Sequence, residues 1–287
     1  MESTEKNKLE KSTLYLVGTP IGNLADVSER AKKVLSEVDF IAAEDTRNSM
    51  KLCSILGIRK EFVSYYEHNK KSSGEKIIAR LLSGESCALV TDAGMPAISD
   101  PGEDIVRLCA DAGITVSVIP GPCAAVSALA LSALSTSRFT FEGFLPAQKS
   151  ERKKRLASLE KEERTMIFYE APHKLSATLS DMKESFGESR KISLCRELTK
   201  LNEEVIRTTL AEALSIYSVK EPRGEYVLVV EGADEAGVST DSNPLTDLSP
   251  ANHVEHYISL GFSKMDAIKA AAKDRGIPKS EMYKLLI

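Results

Sequence analysis

Val90-Thr91-Asp92-Ala93-Gly94-Met95-Pro96-Ala97-Ile98-Ser99-Asp100-Pro101-Gly102 is the stretch on which the reading of this chain turns. The apolar run Cys87-Ala88-Leu89-Val90, bounded on its other side by Ser83-Gly84, predicts a buried strand. Residues 103–110 have helical spacing, acidic residues in the first turn and Gly113 just past the end, which predicts a helix. Two glycines, two prolines and two aspartates lie between them, more than a connector needs. Prolines hold φ and glycines let backbone come close to a bound molecule, so such a loop presents its own amides. In an open α/β sheet, ligands bind beyond the carboxyl ends of the strands, where Asp92 stands. A tight turn with Asp100 capping the helix is the plainer reading of the same residues. The density of turn residues favours a ligand loop.

Upstream, Thr13-Leu14-Tyr15-Leu16-Val17 predicts a first buried strand, ending in the turn-rich Gly18-Thr19-Pro20-Ile21-Gly22-Asn23. Pro20 stands where a dinucleotide fingerprint has its second glycine, so a phosphate loop of that kind is not supported. Asp26 with Glu29 predicts a capping box for a helix through Ala31, Val34, Leu35 and Val38. Strands at 40–43 and 61–65 alternate with helices over 49–56 and 73–82, and Glu44-Asp45-Thr46-Arg47 is the exit of the second strand. After the central loop come a strand at 115–119, the turn Pro120-Gly121-Pro122-Cys123 and an Ala-rich helix over 124–134. This α/β rhythm predicts a parallel, doubly wound N-terminal sheet with helices on both faces. From Phe139 the rhythm changes. Strands at 165–169, 191–195, 204–209 and 226–230, with helices over 172–186 and 210–217, predict a second domain with a mixed sheet. The expected organisation is a disordered tail (1–12), an N-terminal α/β domain (13–136), a second α/β domain (137–232), a flexible linker (233–250) and a small helical C-terminal extension (251–287) of two or three short helices.

Composition narrows the function classes. In 287 residues, 42% hydrophobic and 28% charged, no apolar run approaches the roughly 18 residues of a membrane span, and the polar N-terminus reads as neither signal peptide nor anchor. Five scattered cysteines without a C-x-x-C pair argue for reduced thiols in the cytoplasm and against a structural zinc, and no metal site is expected. The four histidines, His253 and His256 included, read as surface residues. A net charge of −4 leaves any nucleic-acid partner dependent on a local basic patch. Lys149-Ser150-Glu151-Arg152-Lys153-Lys154-Arg155, five cations against one acid, is either a solvated face or such a patch. The tail carries a net charge of +2 over 251–287 and is a helical RNA-docking module or a stabilising cap. Tyr65 and Tyr66, beside His68 and Asn69, either stack a base or fill core.

The loops 18–23, 91–102 and 120–124 fall at one edge of a parallel sheet and can line one pocket. None has a G-K-[ST] phosphate clamp. Backbone amides, a carboxylate and small apolar residues suit adenine and ribose without phosphates, which fits S-adenosylmethionine better than NAD or ATP.

The runs 16–24, Ala43-Glu44-Asp45-Thr46-Arg47, 90–102, Val118-Ile119-Pro120-Gly121-Pro122, Phe168-Tyr169-Glu170-Ala171-Pro172-His173, Arg196-Glu197-Leu198-Thr199-Lys200 and Gly224-Glu225-Tyr226 resemble the signatures of one family. Together, over residues 14–231, they resemble the bacterial small-subunit ribosomal RNA methyltransferase I family, 16S rRNA (cytidine-2′-O)-methyltransferases with the two-domain tetrapyrrole-methylase fold. The tail, with Arg275-Gly276-Ile277-Pro278-Lys279 and Met282-Tyr283, resembles that family's helical extension. The resemblance implies S-adenosylmethionine in the cleft between the domains. Its contacts would be Pro20 and Ile21, then Asp92, Ala93, Gly94, Met95 and Ile98, then Cys123 and Ala124, and from the second domain Tyr169 and Glu225. Thr91-Asp92-Ala93-Gly94-Met95-Pro96 replaces the G-D-P loop of the tetrapyrrole-biosynthetic relatives. The implied reaction is in-line attack of a cytidine 2′-oxygen on the methyl carbon, with a carboxylate taking the hydroxyl proton. Glu44, Asp45, Glu170 and Glu197, all at expected strand ends, are the candidates, each alternatively an interface ion pair. Arg47, Arg196 and Lys200 are expected at a neighbouring phosphate, and Lys149, Arg152, Lys153, Lys154 and Arg155 on the RNA. The implied partners are 16S rRNA in the small ribosomal subunit and a second copy of the chain. The alternatives are a tetrapyrrole-type small-molecule methylase, which needs no basic run, and a non-catalytic RNA-binding assembly factor, which needs no cofactor loops.

Overall fold

The computed structural model describes residues 8–233, 245, 248–275 and 277–286. The chain forms two compact units, divided after Ala233. The first opens with β1 (Thr13–Val17), α1 (Glu29–Glu37), β2 (Phe40–Ala43), α2 (Thr46–Ile55), β3 (Glu61–Ser64), α3 (Lys70–Leu82), β4 (Cys87–Val90), α4 (Gly102–Asp111), β5 (Thr115–Ile119) and α5 (Ala124–Leu131). The five strands make one wholly parallel sheet in the order β3-β2-β4-β1-β5. β2 and β4 are buried along their whole length, which is why they read as unbroken apolar runs instead of alternating ones. Alternate residues of the strands feed two cores. Tyr15, Val17, Ile41 and Ala43 pack with Ala31, Val34 and Leu35 of α1 and Cys53 of α2. Leu14, Phe40, Ala42 and Leu89 pack with Ile77 and Leu81 of α3 and Ile105 and Cys109 of α4. The sheet is therefore doubly wound.

β6 (Phe139–Phe144), α6 (Lys149–Ser158), β7 (Thr165–Glu170), α7 (Leu175–Phe186), β8 (Lys191–Arg196), β9 (Glu204–Thr209), α8 (Leu210–Val219) and β10 (Tyr226–Val230) follow. Their sheet runs β6-β7-β10-β8-β9, parallel only between β6 and β7. One face is covered by Leu156 of α6, Leu175, Leu179 and Met182 of α7 and Leu210, Ala213 and Tyr217 of α8. The other face receives α5, whose Ala125, Ala128 and Leu129 pack against Ile167, Cys195, Val227 and Val229. So α5 leaves the first sheet only to cover the second, and the two sheets share one unit.

Several expectations are corrected. Residues 1–7 of the expected disordered tail, and most of the expected linker, lie outside the described residues, but 8–12 are placed. Leu9 packs on the first core, and the Tyr15 hydroxyl accepts from the Glu10 amide at 2.7 Å. The capping box of Asp26 and Glu29 does not form. Asn23 accepts from Ala25 N and turns residues 24–26 through a short 3-10 helix that holds Asp26, while buried Val27 is extended and Ser28 caps α1 by accepting from Ala31 N at 3.1 Å. α2 begins at Thr46 instead of Ser49, because Asp45 caps it. Residues 139–144 are a strand, hidden from the sequence pattern by Gly143, whose φ of +63° and register shift make a bulge. Tyr65 is core, its hydroxyl donating to Pro101 O at 3.2 Å, so it stacks no base.

The second unit contains α9 (Pro250–Ser259), α10 (Lys264–Asp274) and α11 (Lys279–Lys284), packed around Val254, Ala267, Ile268, Ala271 and Met282. His253 is not a surface residue. It is fully buried, with Nε2 at 3.1 Å from Asp274 Oδ2 and Nδ1 accepting from Arg275 Nε at 3.0 Å. Its place on the inner face of α9 decides that, and isolated spacing did not reveal it.

Candidate functional site

The loops leaving β1, β4 and β5 are locked together by backbone. Gly18 and Gly121 lie so close that a Cβ on Gly18 would stand 2.7 Å from the Gly121 Cα. Only two glycines allow that approach. Thr19 and Gly94 exchange backbone hydrogen bonds of 2.9 and 3.2 Å, and the Gly121 amide donates to Met95 Sδ at 3.3 Å. Ala97 and Ser99 adopt left-handed φ of +67° and +62°, held by Asp100, whose Oδ1 accepts from Ala97 N at 2.9 Å and Gly102 N at 2.7 Å. Each such residue costs about 1–3 kcal/mol and persists only where its surroundings over-determine it. The other oxygen, Asp100 Oδ2, is buried with no hydrogen-bond partner among the described residues.

The second sheet supplies the facing wall. Tyr169, at the end of β7, meets Phe141 and Phe144 edge-on at 5.1 and 5.5 Å, and burial pushes its hydroxyl up to about 12. Glu197, at a φ of +51°, accepts from the Glu225 amide and from Lys200 Nζ, both at 3.0 Å, and Lys200 also reaches Glu225 at 2.8 Å. Burial works against the Glu197 charge, but the Glu225 amide and the Lys200 ammonium hold its carboxyl below the ordinary value. Gly224, at a φ of +80°, leaves room for that carboxylate, and Gly22 lets the β1 loop rest on Lys200 and Thr199.

Between these walls lies a cavity of about 670 Å³. Of the expected cofactor residues, Ile21, Asp92, Ala93, Gly94, Met95, Ile98, Cys123, Ala124, Tyr169 and Glu225 line it; Pro20 does not. Of the carboxylate candidates, Glu44, Glu170 and Glu197 line it and Asp45 does not. Asp45 caps α2 and is doubly bonded to Arg47, at 3.0 and 2.7 Å, which holds its carboxyl down at about 2. Glu170 is buried, accepting from Thr178 Oγ1 at 2.5 Å and Ala171 N at 2.8 Å. Glu44 accepts from Thr91 Oγ1 at 3.3 Å and from no other side chain among the described residues. Among the cations expected on RNA, Lys200 lines the cavity, Arg47 holds Asp45, and Arg196 lies 3.1 Å from Glu204.

The 149–155 run is split by the helix it forms. Arg152 departs from the expectation: it points inward and pairs with Asp181 at 2.7 Å, both side chains under a tenth exposed, so its charge is used inside the fold and is not offered at the surface. Lys153 pairs with Glu184 and Arg155 with Glu142, while Lys149 and Lys154 make no ion pair among the described residues.

The comparisons agree with this architecture. The tetrapyrrole (corrin/porphyrin) methylase model matches residues 13–214. A uroporphyrin-III C-methyltransferase of Thermus thermophilus superposes with a TM-score of 0.55 at 20% identity, over 77% of this chain and 94% of that one. A cobalt precorrin-4 methyltransferase superposes with a TM-score of 0.57 at 15% identity, over 77% and 95%. These two establish the fold. A Bacillus subtilis protein named ribosomal RNA small subunit methyltransferase I is 50% identical over 276 residues, 96% of this chain and 94% of that protein. A Synechocystis protein of the same name is 41% identical over 95% and 96%.

This chain belongs to the ribosomal RNA small subunit methyltransferase I family. The cavity residues not singled out from the sequence include Thr91, Ser99, Asp100, Phe144, His173, Leu198 and Val227. Of those named, all but Phe144 and Val227 lie in signature runs quoted above, so their signal was position within a motif. Phe144 follows the Gly143 bulge, and Val227 follows Glu225 and Tyr226 into β10, and all three line the cavity.

Proposed function

We propose that this chain transfers the methyl group of S-adenosylmethionine to the ribose 2′-oxygen of a cytidine in the decoding region of 16S rRNA, as a cytoplasmic homodimer. The observation that carries the reading is the charge of the cavity. Glu44, Asp92, Asp100, Glu170, Glu197 and Glu225 line it, and among the described residues Lys200 is its one Lys or Arg, already held by two glutamates. Such a wall repels a nucleoside phosphate and attracts a cation bearing hydroxyls and an amine. S-adenosylmethionine has those properties, and the partnerless Asp100 Oδ2 is a buried acceptor suited to one of its donors. Asp92, Ala93, Gly94 and Met95 of the β4 loop, Ile21, Cys123 and Ala124 of the neighbouring loops and Tyr169 of the second sheet would hold it. When bound, it supplies an electrophilic methyl carbon on a sulfonium. The chain's own share is to align the ribose hydroxyl, exclude water behind Phe144 and Tyr169, and accept a proton. Near-full-length identity to proteins named for ribosomal RNA supports RNA over a tetrapyrrole as acceptor.

The test is transfer of labelled methyl to small ribosomal subunits from cells lacking this protein, with the modified nucleotide mapped. Label on one cytidine 2′-oxygen, abolished by Asp92→Ala, is the expected result. Tight S-adenosylmethionine binding with no label on the subunits would sink the rRNA reading in favour of a small-molecule acceptor.

A further inference from the structure

Building on that reading, we propose that Glu44 is the group that takes the proton from the attacking ribose hydroxyl. Of the four carboxylate candidates at strand ends, Glu44, Glu170 and Glu197 line the cavity and Asp45 stands outside it, and their hydrogen bonds separate them further. Asp45 caps α2 and is clamped by Arg47. Both Glu170 oxygens are occupied, one by an amide and one by Thr178, under a buried wall. Glu197 accepts from the Glu225 amide and Lys200 Nζ at one oxygen, Oε1, and against burial these bonds hold its carboxyl below the ordinary value, which makes it the weaker base. Glu44 immediately follows β2, lines the cavity, is exposed to solvent, and carries one long bond from Thr91. No cation pairs with it among the described residues.

The groups facing it are mostly acids: Asp45 with its partner Arg47 from the start of α2, and Asp92, Asp100 and Thr91 from the loop after β4. Lys200 and His173 line the same cavity from the second sheet. Loss of water against the cavity walls, then the Asp92 charge, raise the Glu44 carboxyl above its ordinary value; Thr91 opposes them, and Asp100 and Asp45 add to the rise. A raised carboxyl is a stronger base once ionised, which suits it to accept a proton from a weakly acidic hydroxyl. The balance of the step is simple. The ribose 2′-oxygen forms its bond to the methyl carbon while the methyl–sulfur bond breaks with its electron pair remaining on sulfur. The hydroxyl proton passes to a Glu44 oxygen and later to water.

The experiment is single-turnover methyl transfer to small subunits by wild-type, Glu44→Gln and Glu44→Asp proteins from about pH 5 to about pH 9, with calorimetric S-adenosylmethionine affinity and melting temperature measured alongside. Glu44→Gln should slow transfer by about 10²–10⁴-fold and abolish the acidic limb of the profile. Its cofactor affinity should stay within about threefold, and its melting temperature should not fall, because an ionised group with a raised pKa costs folding stability above that pKa. Glu44→Asp should regain part of the rate and the acidic limb. A Glu44→Gln rate within about threefold of wild type, or a loss of cofactor affinity with the rate at saturation intact, would overturn the assignment. Wild-type protein that binds S-adenosylmethionine but labels no subunit would overturn the rRNA reading itself, so the two failures are distinguishable.

Discussion

At the scale of single residues, the site depends on side chains that are absent as much as on those present. Gly18 and Gly121 touch backbone to backbone, and either Cβ would fall within 3 Å of the other glycine's Cα. Gly121→Ala must therefore push the β1 and β5 loops apart. It should cost about 1–3 kcal/mol of stability and weaken S-adenosylmethionine binding about tenfold or more, read by thermal melting and calorimetry. Arg152 makes the opposite point. Inside a run of five cations it looks like RNA-facing charge, yet it forms a buried pair with Asp181. Arg152→Ala leaves a buried carboxylate unpaired and should destabilise by about 3–5 kcal/mol, whereas Lys154→Ala should leave melting unchanged and weaken only subunit binding. Equal melting temperatures for the two variants would refute this division of the run.

At the scale of elements, caps decide where helices start, and local competition decides which polar residue caps. Asp26 and Ser28 both precede α1, but the Asn23 turn takes Asp26 while the extended Val27 delivers Ser28 to the Ala31 amide. Ser28→Ala should cost about 1 kcal/mol, and Asp26→Ala much less, in chemical denaturation. The central loop is an element in its own right. Its left-handed Ala97 and Ser99 and the twice-bonded Asp100 make it a preformed shelf; the tight turn of the plainer reading is there, but the residue at the α4 N-cap is Pro101, and Asp100 serves the loop by accepting from Ala97 N and Gly102 N. Asp100→Ala removes two acceptor bonds and should lower cofactor affinity even though Asp92 is untouched.

At the scale of the whole molecule, paired carboxylates contribute to the dependence of stability on pH. Hydrogen bonds from Arg47 hold Asp45, and those from Arg164 hold Glu162, at about 2, against ordinary values of 3.8 and 4.5. Groups lowered in this way stabilise the fold above their ordinary pKa and lose that contribution as pH falls through the folded value. The melting temperature should therefore hold steady down to about pH 5 and fall steeply between about pH 4.5 and about pH 2, with Glu44, shifted upward, working weakly in the opposite direction. A scan in which stability rises throughout acidification would contradict this.

The sequence by itself determined the doubly wound first sheet, the mixed second sheet and the three loops of the cavity. Their signals are local: apolar runs of strand length, turn residues packed into short connectors, and motifs in register from residue 14 to residue 231. β6 escaped because a bulge glycine breaks the alternation that marks a strand. The reach of α5 onto the second sheet, the burial of His253 and Arg152, and the sorting of four carboxylates into three structural ones and one nearly unencumbered one were decided only by tertiary structure. Composition and spacing state which groups a segment carries. Burial and hydrogen-bond partners are properties of what packs against it, and here those partners lie 29 residues away for Arg152, 47 for Glu44 and 21 for His253.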